Sequence, residues 1–108
     1  MAAGLTRGEV RLVKFTTPDK VRPALVLTRS TALAYLSTAT VAPITSTIRG
    51  IPSEVLLGVD HGMKDQCAVN LHNLMTIDQD RIGRRVSQLD DSKMREVCAA
   101  LGFALGCA

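Results

Sequence analysis

The sequence predicts a mainly β domain, a small barrel with one helix appended at the C-terminus. Three features carry that expectation. Short apolar runs recur between residues 8 and 88, broken by Gly, Pro, Thr and Asp. One of them, Val21-Arg22-Pro23-Ala24-Leu25-Val26-Leu27-Thr28, has almost no polar alternation after the proline. That pattern fits a strand buried on both faces. Only the stretch from Asp90 onward repeats its apolar residues with helical spacing.

Length and composition set the frame. The 108 residues are enough for one domain, spanning 1–108, with a single modest core. Apolar residues make up 46%, which argues against disorder. With three aromatic residues and no Trp, aliphatic side chains must fill the core. The net charge is +3. Residues 1–85 hold eleven Lys/Arg against seven Asp/Glu, a net of +4, which suits a polyanionic partner. Three cysteines with no C-x-x-C pattern read as buried, reduced thiols, pointing to a reducing compartment. Arg7, Glu9, Arg11 and Lys14 interrupt any apolar leader, and the uncharged run at the C-terminus, Val97 to Ala108, is too short to span a bilayer. The expected location is cytoplasmic, with no membrane partner.

The elements follow in order. Residues 1–6 read as a loose terminus. Gly8 to Phe15 reads as a strand whose apolar residues change phase between Leu12 and Val13, the mark of a bulge. Thr16 to Lys20 is a turn. The central strand begins at Pro23, which cannot donate a ladder hydrogen bond. Arg29 to Tyr35 can form one helical turn, with Ser30 or Thr31 as cap. Ala39 to Ile44 is a strand, and Pro43 places it at an edge or a terminus. A polar loop runs from Thr45 to Pro52, and Ser53 to Leu57 is a short strand. Gly58 to Asp65 is a loop, Cys67 to Leu74 one strand, and Asp78 the cap of a single turn. Arg84 to Gln88 is a last short strand. The helix spans 90–106, capped by Asp90 and closed by Gly106. Met94, Val97, Cys98, Leu101 and Leu105 form its apolar stripe, and Leu89 with Met94 a hydrophobic staple.

Candidate chemistry is sparse. His61 and His72 are eleven residues apart with no Cys/His cluster, so no metal site is expected. No phosphate-binding glycine motif occurs and no cofactor is expected. Cys67, in an apolar strand, reads as inert rather than nucleophilic. What remains is Arg22 before one strand and Thr45-Ser46 after another. An arginine and two hydroxyls at one barrel rim can hold a phosphodiester and stabilise added negative charge. Arg22 taken alone reads more readily as a solvated charge beside a strand.

Those residues carry a resemblance. Gly8-Glu9-Val10, then Val21-Arg22-Pro23-Ala24-Leu25-Val26-Leu27, then Val41-Ala42-Pro43-Ile44-Thr45-Ser46 resemble the MazF/PemK family of toxin endoribonucleases (mRNA interferases) of type II toxin–antitoxin systems. Cys67-Ala68-Val69-Asn70-Leu71-His72-Asn73-Leu74-Met75-Thr76-Ile77 and Leu89-Asp90-Asp91 continue the match in order, so that it covers roughly residues 7–105. The resemblance implies an SH3-like barrel of the CcdB/MazF type, a homodimer with an RNA groove along its surface, metal-independent cleavage of single-stranded RNA, and neutralisation by a cognate antitoxin. It places the family's catalytic arginine on Arg22 and its threonine on Thr45. The expected chemistry is attack of the ribose 2′-OH on the adjacent phosphate, leaving a 2′,3′-cyclic phosphate and a 5′-OH. Lys20, Ser46, His72 and Asn73 are the candidate RNA contacts, Asn73 through a base edge; His72 reads equally as a plain strand histidine. The chain departs from the family at His72-Asn73, where Glu-Gln is common, at Met75, where Arg is common, and in a shorter first loop. These departures bear on the RNA sequence recognised. Two rival readings keep the fold: a non-enzymatic toxin that binds a topoisomerase through the C-terminal helix, and an inactive RNA-binding relative.

Overall fold

The computed structural model describes residues 4–15 and 20–107. Seven strands form one antiparallel sheet: β1 (Glu9–Lys14), β2 (Val21–Val26), β3 (Thr38–Thr45), β4 (Glu54–Leu57), β5 (Cys67–Asn70), β6 (Met75–Asp78) and β7 (Ile82–Gln88). Their order is β4-β5-β3-β2-β1-β7, and β6 pairs with β3 beside β5. Among the described residues β4 and β7 have no second neighbour, so the curled sheet is a half-barrel. One turn of helix, α1 (Ser30–Leu33), links β2 to β3, and the long helix α2 (Asp91–Leu105) ends the chain.

The central strands are buried on both faces, as the apolar run of β2 requires. On one face Leu25, Leu27, Ala42, Ile44 and Val69 pack beneath Val97 and Ala100 of α2. On the other, Ala24, Val26, Ala39 and Val41 pack against Leu33, Ile77 and Ile82. Alternate residues of β2 and β3 therefore feed alternate cores, and each buried Val or Leu contributes about 1.5–3 kcal/mol. β1 does the same with Val10 and Val13, both fully buried. The phase change expected in β1 coincides with register shifts in its pairing with β7, between Val10 and Arg11 and between Arg11 and Val13.

Several expectations are corrected. Leu5 is buried in the second core, so residues 4–6 are not a loose end; residues 1–3 lie outside the described part. Of the expected turn Thr16 to Lys20, only Lys20 is described. The N-cap of α1 is Arg29, with no side-chain cap, and Ser30 Oγ instead accepts the Arg7 backbone N–H at 2.9 Å. Pro43 lies in the middle of the sheet, opposite Ala24. It is tolerated there because β3 changes partner at that point, pairing with β6 up to Val41 and with β5 from Ile44. The missing N–H of Pro43 falls in the gap between those partners. The single strand expected over Cys67 to Leu74 is broken after Asn70 by a turn, and β6 begins at Met75. Asp78 occupies the cap position of its 3₁₀ turn without a side-chain bond. Gln79 is what fixes that turn: its buried amide nitrogen lies within 3.0 Å of the Leu33, Leu36 and Thr38 carbonyls.

In α2 the Asp90 carboxylate accepts the Lys93 N–H at 2.8 Å, and Gly106 closes the helix in the left-handed conformation. The buried stripe is Val97 and Ala100, with Met94, Leu101 and Ala104 beside it. Cys98 and Leu105 are exposed, because at 3.6 residues per turn they lie about 80–100° around the helix from Val97, at the edge of the buried stripe. Cys107 is exposed too, so only Cys67 is the buried thiol that composition suggested.

Candidate functional site

Strand register brings Arg22 and Thr45 together. β2 and β3 pair Ala24 with Pro43 and Leu25 with Ala42. Carried two residues further, that register sets Arg22 opposite Thr45. On the other side of β3, Ile44 pairs with Val69 and Thr45 with Ala68, which leads Ser46 toward Cys67 at the start of β5. The end of β3 is therefore flanked by Arg22 and by the loop that enters β5. Between them lies a cleft of about 360 Å³, lined by Arg22, Pro23, Thr45, Ser46 and Thr47 on one side and by Met63, Lys64, Asp65, Gln66 and Cys67 on the other.

The polar groups of the cleft are uneven in their commitments. The Arg22 side chain is exposed and, among the described residues, has no hydrogen-bond or ion-pair partner. Its backbone pairs with Val13 of β1 and is stiffened by Pro23. Thr45 is half-buried, and its Oγ1 accepts the Thr47 N–H at 3.0 Å, which orients the hydroxyl and leaves its proton to donate. Ser46 and Thr47 are exposed. Burial pushes the Cys67 thiol above its ordinary value, and the nearby Asp65 carboxylate raises it further. Cys67 is therefore a neutral floor to the cleft and no nucleophile.

Arg22, Thr45 and Ser46 are thus in one place, while the other three candidates are elsewhere. Lys20 is exposed at the mouth of the β1–β2 connection, its carbonyl accepting the Phe15 N–H at 3.2 Å. His72 is not in a strand: it sits in the β5–β6 turn, its Nδ1 2.7 Å from Ser53 Oγ and its N–H donating to Asn70 Oδ1 at 3.2 Å. Asn73 is exposed in the same turn. Lys64, Asp65 and Gln66 were missed. Their polar run lies directly before β5, and the pairing of β5 with the Thr45 strand is the signal that would have found them. Among the described residues no group of three or more His, Cys, Asp or Glu side chains could hold a metal ion. The donors of the cleft are a guanidinium, an ammonium, hydroxyls and the Gln66 amide, a set suited to an anion, with the Asp65 carboxylate opposing it.

Comparison with known proteins gives the family. Residues 6–105 match the family model described as PemK-like, MazF-like toxin of type II toxin-antitoxin system. The chain belongs to the PemK/MazF toxin family. Its relatives are endoribonucleases: MazF3 of Mycobacterium tuberculosis is 35% identical over 95 residues, which is 88% of this chain and 92% of that protein. The M. tuberculosis toxin MazF-mt6 shares the fold with a TM-score of 0.85 at 32% identity, covering 93% of this chain and 98% of its own. An endoribonuclease from a mycobacterial species, solved with its cognate antitoxin, also has a TM-score of 0.85, at 23% identity over 96% and 97% of the two chains, and shows the same fold. The half-barrel with its C-terminal helix is thus the MazF fold. No helix among the described residues of this MazF-like toxin is long and apolar enough to cross a membrane.

Proposed function

We propose that this toxin cleaves single-stranded RNA at selected sequences without a metal ion, by attack of the ribose 2′-OH on the adjacent phosphate. The attack forms the O2′–P bond and breaks the P–O5′ bond, leaving a 2′,3′-cyclic phosphate and a 5′-OH. Arg22 presents a planar fork of donors to the phosphate and stabilises the extra charge of the pentacoordinate phosphorane. A guanidinium holds its proton too tightly to act as an efficient general acid, so its part is electrostatic. The Thr45 hydroxyl donates to a phosphate oxygen, with Ser46 beside it.

The observation that carries this reading is the uncommitted Arg22 side chain set by register across from the Thr45 hydroxyl. An arginine with no internal partner, on a backbone this constrained, is an anion receptor in waiting. Lys20 and Asn73 are exposed where an extended RNA could reach them, and His72 presents its free ring edge in the same turn. A cognate antitoxin is the natural partner of a toxin of this family. A cytoplasmic homodimer is the working form, with Phe103 and Leu105, 57% and 60% exposed on the last turns of α2, as apolar surface that a second copy can cover.

The test is cleavage of an RNA pool by purified toxin in excess EDTA, with the chemistry of the new ends determined. Undiminished cleavage with 5′-OH and cyclic-phosphate ends is expected. Activity that is lost in EDTA and restored by Mg²⁺ would overturn the mechanism, and an uncut pool would return the chain to a binding role.

A further inference from the structure

Half of the cleft is built by a loop to which none of the motif residues belongs. The loop leaves β4 at Gly58 and is held by its own backbone. The His61 and Met63 N–H groups both donate to the Gly58 carbonyl, at 3.0 and 3.2 Å, and the Gly62 N–H donates to the Val59 carbonyl at 3.0 Å. The Gly58 N–H closes the ring on His61 Nδ1 at 3.1 Å. Gly62 has φ +81°, and a Cβ there would meet Ser87 Oγ at 2.7 Å; that hydroxyl donates to the His61 carbonyl and ties the loop to β7. Met63 then packs onto the first core. Lys64 follows this anchor directly, with two residues between it and the start of β5. Its side chain is exposed to the cleft and, among the described residues, has no partner.

We propose that Lys64 is a second RNA-binding cation, which holds the phosphate next to the scissile one and so positions the strand in front of Arg22 and Thr45. This rests on the cleft being the site of RNA cleavage. Arg22 approaches the end of β3 from β2, and Lys64 approaches it from the β5 side. Two cations on opposite sides of one strand end suit an extended polyanion, whose phosphates follow one another along the cleft. A lysine is a compact point charge that accepts any phosphate orientation, which suits a positioning contact rather than the reacting centre. Asp65, one residue on, lines the same cleft and opposes an anion there. Lys64 and Asp65 should therefore act on RNA affinity with opposite signs.

The experiment has two arms. In the first, a labelled single-stranded RNA pool is titrated against Arg22→Ala and Arg22→Ala/Lys64→Gln proteins at several salt concentrations. Loss of one phosphate contact should weaken binding about five- to tenfold and lower the salt slope by about 0.7. In the second, cleavage kinetics compare wild type with Lys64→Gln, Lys64→Arg and Asp65→Asn. KM should rise about five- to tenfold for Lys64→Gln with kcat within about twofold and the cleaved sequence unchanged. Lys64→Arg should restore most of that loss, and Asp65→Asn should lower KM. An unchanged affinity and salt slope in folded Lys64→Gln protein would overturn the inference, as would a fall in kcat alone. Failure of the RNA-cleavage reading is distinct: wild type would leave RNA uncut, while the binding arm would still report whether Lys64 engages it.

Discussion

The β2–β3 end of the cleft and the β5–β6 turn both show exposed polar residues in family motifs, yet they spend their polar groups differently. Arg22 has no internal partner among the described residues, and the Thr45 hydroxyl keeps its proton free to donate. His72 is tied at two points, its ring to Ser53 and its backbone N–H to Asn70. An exposed polar atom that the fold does not use is available to a ligand. One that the fold does use costs structure when it is borrowed. The first region is therefore where chemistry is expected, and the second is where recognition competes with turn stability.

The largest test of that contrast is Arg22→Ala. Removing a donor aimed at developing charge typically costs about 10²–10³ in rate. The rate of RNA cleavage should fall by at least that much, with the thermal midpoint little changed because the exposed side chain makes no hydrogen bond or ion pair among the described residues. Arg22→Lys should recover only part of the loss, since an ammonium cannot reproduce the fork. A folded Arg22→Ala protein that cuts RNA at near wild-type rate would remove the cleft from the mechanism. Thr45→Ala is the next step down. It should slow cleavage about tenfold or more and free the Thr47 N–H, while Thr45→Ser, which keeps the hydroxyl, should return most of the rate. Single-turnover rates on one RNA substrate measure both.

How much of this was legible in the sequence depends on how local each signal is. The unbroken apolar run of β2 and the capped, periodic α2 are written in neighbouring residues, and both have their expected place. Arg22 and Thr45 were singled out by strand ends and motif, but their apposition is a product of β2–β3 register, which no single stretch encodes. Pro43 misled because the rule for proline in strands supposes a continuous partner, and β3 changes partners there. Cys67 to Leu74 read as one strand because its composition is uniform. The turn at Leu71-His72 is held by the His72 N–H donating to Asn70 Oδ1 and by the His72 ring bonded to the Ser53 hydroxyl, and the second of these partners is distant in sequence. The Lys64 wall escaped notice because nothing local marks a loop that only long-range pairing brings to the cleft.

The smallest expected effect on rate falls in the β5–β6 turn, where it should be read as a change of sequence rather than of speed. If Arg22 and Thr45 handle the backbone, they carry no base information, and choice of sequence must come from groups that reach base edges. Asn73 offers a paired donor and acceptor, and among the described residues nothing engages its side chain. His72 has one ring nitrogen occupied by Ser53 and one left over. Replacing His72→Glu together with Asn73→Gln should therefore shift the preferred cleavage sequence while holding kcat within a few-fold. It should also cost about 1 kcal/mol of stability through the orphaned Ser53 hydroxyl. The two contributions separate in the single variants. Asn73→Gln should move the motif with little loss of thermal midpoint, and His72→Glu should lower the midpoint by a few degrees with a weaker effect on the motif. Sequencing the 5′-OH ends cut from a random RNA library by each variant reads the motif directly. Identical motifs from wild type and the double variant would show that this turn reads no bases, and would move the search for specificity to the loop at Thr47–Ile51 and the connection before Lys20.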